Sequence, residues 1–147
     1  MTWGAALWWI DAMNAAGYLG YTDWRLPTAL NQDGSGPDFG VVTGSEMGYM
    51  YYTNLGNGSG GPLSNTAPFA NLQSDVYWSG TEYGPVPHDA WSFYFDGGSQ
   101  GAGTKFNGFY AWAVRPGDVA VPEPASLALV STALGGLLGV GWRRRRR

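Results

Sequence analysis

The sequence predicts an α+β domain followed by a single C-terminal transmembrane helix. Three observations carry this: a helical pattern over residues 2–16, three short aromatic strand-like runs between Val76 and Arg115, and an uncharged stretch over residues 125–142. Residues 1–118 form the globular part, 119–121 a linker and 122–147 a terminal signal.

The first element is the helix. Thr2 suits an N-cap, Ala5, Trp8, Trp9, Ala12, Met13 and Ala16 recur at spacings of three and four, and Gly17 offers a C-cap. That stripe places one face in the core, Trp8 and Met13 with it. After Gly17 and Gly20 comes Asp23-Trp24-Arg25-Leu26-Pro27-Thr28, where Pro27 holds Leu26 out of the helical region. Residues 31–69 are rich in Gly, Asn, Ser and Pro and read as long loops around one short helix or strand at 47–52. Residues 76–81, 90–95 and 110–115 then read as strands, each bounded by Gly, Pro or Asp. Asp96-Gly97-Gly98 and the glycines at 101 and 103 fall between the second and third, which predicts an antiparallel meander rather than crossover helices.

Composition narrows the function classes. Eight Trp, nine Tyr and six Phe bring roughly 150–250 Å² of apolar surface each, enough for one core in about 120 residues. The absence of cysteine rules out disulfides and thiolate metal sites. Residues 1–142 carry three basic residues (Arg25, Lys105, Arg115) against eleven acidic ones, a formal charge of −8. Nucleic acid and sulfated polysaccharides are poor partners for such a surface. Arg25 and Arg115 are scarce cations beside aromatic residues, so each is expected to hold the fold by pairing with Asp23 or Asp75 and lying over a Trp face.

The uncharged stretch 125–142 spans roughly 27 Å as a helix at about 1.5 Å per residue, which just reaches across a bilayer core. Arg143, Arg144, Arg145, Arg146 and Arg147 follow it and are expensive to translocate, so the preceding domain is expected outside the cytoplasm. Pro122 and Pro124 stop the helix from extending backwards and leave Glu123 in an extended dipeptide. Met1 is followed by Thr2 and an amphipathic segment instead of a secretory leader, so either a translation start further upstream or a domain truncated at its N-terminus is expected.

Val121-Pro122-Glu123-Pro124-Ala125, the apolar helix and the Arg cluster together resemble the PEP-CTERM sorting signal of Gram-negative bacteria. The resemblance implies an exosortase partner, a membrane cysteine transpeptidase-like enzyme that removes the helix. It also implies passage from the inner membrane to the cell surface or extracellular matrix, often with exopolysaccharide.

A second resemblance rests on Trp8, Asp23-Trp24-Arg25-Leu26-Pro27-Thr28, Tyr77-Trp78-Ser79-Gly80-Thr81, Trp91-Ser92-Phe93 and Ala111-Trp112-Ala113-Val114-Arg115. In this order they resemble the C-terminal domain of the Lcl collagen-like adhesins, near the C-type-lectin-like and formylglycine-generating-enzyme folds. The resemblance implies a small C-type-lectin-like domain outside the cytoplasm, glycan-binding in some members. Asp23, Trp24, Arg25, Leu26, Pro27, Tyr77, Trp78, Ser79, Trp112 and Arg115 are its motif residues and read as mainly structural. Three departures limit the transfer. The chain has no cysteine for formylglycine chemistry, Trp112 is followed by Ala113-Val114 rather than the Asn-Asp of lectin calcium sites, and the acidic charge does not suit sulfated glycans.

Few groups offer chemistry of their own. His88 stands in Pro85-Val86-Pro87-His88-Asp89 and reads as a solvated turn residue, while Asp11, Asp75 and Asp96 read as polar-face or turn positions. No catalytic residues are expected, and no enzyme. Asn31, Asp33 and Asp38 are weak calcium candidates, because oxygen ligands alternate around glycines there but the distal Glu of an EF-hand is missing. Asn57-Gly58-Ser59 is a formal glycosylation triplet. Sugar faces stack on aromatic faces, so Tyr49, Tyr51, Tyr52, Trp91 and Tyr110 are the ligand candidates if exposed. The expectation is an exported, non-catalytic surface module with a polysaccharide partner and no nucleic-acid partner. A lectin-like adhesin and an enzyme of unknown reaction are the alternatives.

Overall fold

The computed structural model describes residues 1–117. The linker 119–121, the Pro-Glu-Pro motif, the predicted helix 125–142 and the Arg cluster lie outside the described residues. The chain divides into the units Met1–Pro116 and Gly117–Arg147, and the first is an α+β unit.

Helix α1 spans Trp3–Ala15, with the Thr2 hydroxyl accepting from the Ala5 N–H and Gly17 left-handed just beyond the C-cap Ala16. Its boundaries match the sequence pattern; its rotation does not. Trp8 is 71 % exposed, and the buried side is built from Ala6 and Ile10 with Trp3, Leu7, Trp9 and Met13 packed around them. The reason is that α1 is apolar almost all round, so periodicity alone does not choose its inner face. Polar bonds at both ends choose it instead. Trp3 Nε1 donates to the Ser79 carbonyl at 2.8 Å, and the Asn14 amide brackets the backbone of Trp24 at 2.8 and 2.9 Å.

Three antiparallel strands form a meander in the order β1 (Val76–Glu82), β2 (Asp89–Tyr94), β3 (Ser99–Thr104). Tyr77 faces Phe93 and Trp78 faces Ser92 across β1–β2, with an irregularity between Trp78 and Glu82. Successive side chains alternate between two covered faces. On one, Tyr77, Phe93 and Phe95 pack with Met47, Tyr51 and Leu55; on the other, Trp78 and Ala90 pack with Ala6, Ile10 and Leu26. Covering both faces explains why β1 and β2 bury runs of four consecutive residues rather than every second one.

The third strand is not the predicted one. The Gly-rich segment read as a turn is β3, and residues 110–115 instead make two isolated pairings. Tyr110 bridges Tyr77 in parallel and Val114 pairs with Arg25. Packing overrides propensity here, because a Cβ on Gly101 would lie 2.9 Å from the Tyr94 ring, so the aromatic strand beside it demands a neighbour without side chain.

Residues 46–54 are the short helix. Helix α2 (Glu46–Tyr49) starts at Ser45, whose hydroxyl accepts from the Gly48 N–H, and runs into a π turn at Met50–Asn54. Gly48 is fixed by contact, since a Cβ there would stand 1.9 Å from the Val42 carbonyl oxygen. Among the described residues no helix is long and apolar enough to cross a membrane.

Candidate functional site

The motif Asp23–Thr28 turns inward. Arg25 makes a two-pronged pair with Glu46 at 2.6 and 2.7 Å, and Glu46 accepts a further bond from the Thr28 N–H at 2.7 Å. Burial opposes ionisation of Glu46, but the Arg25 guanidinium and the Thr28 N–H outweigh it and hold the carboxyl below its ordinary range. The same bond raises Arg25, partly offset by burial. Leu26 and Pro27 are buried, and the Pro27 carbonyl accepts from the Gly80 N–H. Asp23 receives Arg115 at 3.1 Å, and Arg115 also lies 3.6 Å over the Tyr21 ring. The structure thus corrects the expected partner of Arg25 from Asp23 or Asp75 to Glu46, and the expected Trp beneath Arg115 to Tyr21. Glu46 carried a sequence signal, since Ser45 ahead of an acidic first-turn residue marks a helix start.

Trp78 and Ser79 are motif residues of the same kind. Trp78 is fully buried with its Nε1 on the Met1 carbonyl, and Ser79 is buried with its hydroxyl accepting from the Thr81 N–H. Tyr77 sits between Phe93, Phe95 and Trp112; its hydroxyl is raised by burial and accepts from the Gln73 N–H.

Polar and aromatic groups turn outward in the next segment. A groove of about 580 Å³ is lined by Asn31, Gln32, Asp33, Asp38, Phe39, Val41, Val42, Thr43, Gly44 and Tyr49. Its loop is tied at several points. The Asn31 N–H reaches the Ser35 carbonyl, the Gln32 N–H the Gly44 carbonyl, and Gly40 exchanges both backbone bonds with Gln100. Gln100 is buried, and its amide donates to the carbonyls of Ala29 (3.1 Å) and Asp38 (2.9 Å). Two facing carbonyls fix which way the amide points and leave Oε1 without a partner among the described residues. Gln100 was missed by sequence reading, because a lone amide in a Gly-rich run has no distinguishing pattern.

The five ligand candidates separate by exposure. Tyr51 is fully buried and Trp91 only 4 % exposed, so neither offers a face; both were drawn into the core because the sheet is covered on both sides. Tyr52 is half-buried, its hydroxyl donating to the Gly98 carbonyl. Tyr49 (41 % exposed) lines the groove just described. Tyr110 (44 % exposed) lines a different one, of about 320 Å³, with Phe69, Asn71, Tyr77 and Trp112. The ring that sequence reading missed is Phe39, 59 % exposed yet braced from below by Trp91 at 4.5 Å and Tyr83 at 5.6 Å.

Of the calcium candidates, Asp33 Oδ1 accepts from the Ser35 N–H and hydroxyl, and Asn31 donates to that hydroxyl, so both serve the turn itself. Ser35's hydroxyl holds the exposed Asp33 carboxyl below its usual value. Among the described residues no three His, Cys, Asp or Glu gather as metal ligands. Asn57 is buried rather than displayed: its side chain bonds the backbone of Ser64 and Asn65, which removes it as a glycan acceptor. His88 is exposed in the β1–β2 connection.

The Lcl C-terminal domain model matches residues 1–115. The chain belongs to the Lcl C-terminal domain family. Within this family member, the Asp-Trp-Arg-Leu-Pro-Thr string is the brace that joins α1, β1 and α2. Residues 120–146 match the PEP-CTERM protein-sorting motif. That motif indicates an exported, membrane-anchored protein, processed by an exosortase and sorted to the cell surface. No curated protein and no solved structure matches the chain.

Proposed function

We propose that the Lcl-type domain is a non-catalytic binding module of C-type-lectin-like architecture, displayed outside the cytoplasm and associated with surface polysaccharide after exosortase processing. The observation that carries this reading is the union of an Lcl C-terminal domain with a sorting motif in one chain. The outward orientation is supported by the five terminal arginines, which favour the cytoplasmic side. Support for binding rather than catalysis comes from how the scarce charged groups are used. Arg25, Lys105 and Arg115 pair with Glu46, Glu82 and Asp23. The single histidine of the sequence is exposed in a turn.

Mass spectrometry of the mature C-terminus in cells with and without exosortase tests the sorting half. Loss of the Arg tail only where the enzyme is present is expected; an intact tail in both overturns it. Protease shaving of intact cells tests the orientation: the Trp-rich domain is expected to be cleaved from outside, and protection overturns the surface assignment.

A further inference from the structure

We infer that the groove walled by the 31–44 loop and Tyr49 binds an uncharged, hydroxyl-rich saccharide chain, with Phe39 and Tyr49 as stacking faces and Asp38 and Thr43 as hydroxyl partners. The inference rests on reading the domain as a surface binding module, and adds the site and the ligand class. At about 580 Å³ the groove has the volume of a small-ligand site. Its walls combine two chemistries that one ligand class satisfies. The rings of Phe39 and Tyr49 match the C–H faces of a pyranose, and carboxylate and hydroxyl oxygens match its O–H groups.

Charge decides between classes of glycan. No Lys or Arg lines the groove, whereas Asp33 and Asp38 do, so a sulfated or uronic chain would be repelled and would find no donor pair. Rigidity favours the same site. Gln100 pins the loop at Ala29 and Asp38, Gly40 is paired with Gln100, and Phe39 rests on Trp91, so little ordering is left for binding to impose. The smaller groove is a weaker competitor. Its polar side chains are only Asn71, Tyr77 and Tyr110, with the Tyr77 hydroxyl already accepting from Gln73, and a further groove of about 600 Å³ along Leu7, Ile10 and Leu26 presents Trp24 as its single aromatic ring.

The test uses the full chain in a detergent without a sugar headgroup, run by affinity electrophoresis through gels containing dextran, soluble starch, hydroxyethyl cellulose or heparin. Retardation by at least one neutral polysaccharide is expected, unchanged by added salt, whereas any retardation by heparin comes from the five terminal arginines and is expected to vanish with added salt. Tyr49→Ala and Asp38→Ala should each weaken it by about tenfold while the thermal midpoint stays in place. Heparin retardation that survives added salt and falls in Tyr49→Ala or Asp38→Ala, or retardation by none of the three neutral polysaccharides, overturns the inference; shaving and tail processing still report on the sorting reading. Loss of retardation in Tyr110→Ala, with Tyr49→Ala and Asp38→Ala unaffected, overturns this site and leaves the binding-module reading intact.

Discussion

Residues 23–28 and 31–43 are near neighbours in sequence, and both pack beside α2, yet they spend their polar groups in opposite directions. In the first, Arg25 and the Thr28 N–H converge on Glu46 while Leu26 and Pro27 are buried. In the second, the backbone is tied inward by Gln100 and Gly44 while Asp33, Asp38, Phe39, Val41 and Thr43 remain at the surface. Both segments are held firmly and each lines a groove, but the first offers mainly aliphatic and ion-paired side chains, whereas the second offers exposed rings with carboxylate and hydroxyl groups. The most recognisable string of a family is thus here chiefly a fastening, and the segment beside it, with no motif of its own, carries the paired rings and oxygens of the candidate saccharide groove.

The largest difference between the two should come from truncating their apolar side chains. Leu26→Ala removes a buried side chain between α1 and β1 and should cost about 3 kcal/mol in urea unfolding. Phe39→Ala, a ring more than half exposed, should cost less than about 1 kcal/mol. Equal losses would show that the loop is part of the core and break the contrast. Next in size is Gln100→Leu, which leaves the Ala29 and Asp38 carbonyls without their buried donor and should cost about 2 kcal/mol. Hydrogen exchange should rise over residues 31–43 and stay unchanged over residues 76–82. An even rise across the chain would mean that Gln100 supports the whole fold rather than the loop.

What the sequence disclosed follows the same division. Helix α1, the positions of β1 and β2 and the antiparallel order were legible because capping, aromatic runs and turn residues are local signals. The inner face of α1 was not legible, since Trp8 and Trp9 are equally apolar and only the bonds of Trp3 and Asn14 to distant backbone distinguish them. Strand β3 was hidden for a related reason, as Gly101 is selected by the Tyr94 ring and not by its own propensity. At the candidate site Tyr49 was legible as an aromatic in a loop-rich region. Phe39 and Gln100 were not, because exposure of one and burial of the other depend on residues more than fifty positions away.

The ion pair beneath the motif yields a smaller effect. Arg25 and Glu46 keep 43 % and 32 % of their side chains accessible, so water screens the attraction, and Arg25→Ala should cost only about 1–2 kcal/mol. No comparable loss is expected for Asp38→Ala. A cost near zero for Arg25→Ala would place residues 23–28 with the loop and remove the contrast for charged groups.

The smallest effect is a pH dependence that belongs to Glu46. Its folded carboxyl lies below its ordinary value of 4.5, because the Arg25 and Thr28 bonds outweigh the cost of burial. A depressed carboxyl binds fewer protons folded than unfolded, so its stabilisation is complete above the unfolded value and fades as pH falls through the folded one. Glu46→Gln keeps an acceptor for the Thr28 N–H but cannot titrate, so it should narrow the difference in urea midpoint between neutral pH and about pH 3. The exposed Asp33 shifts in the same direction, and Asp33→Asn, which keeps an acceptor for Ser35, controls for the loop. If Asp33→Asn flattens the acid limb and Glu46→Gln leaves it unchanged, the proton-linked part of stability lies in the loop, and the inward segment holds by packing alone.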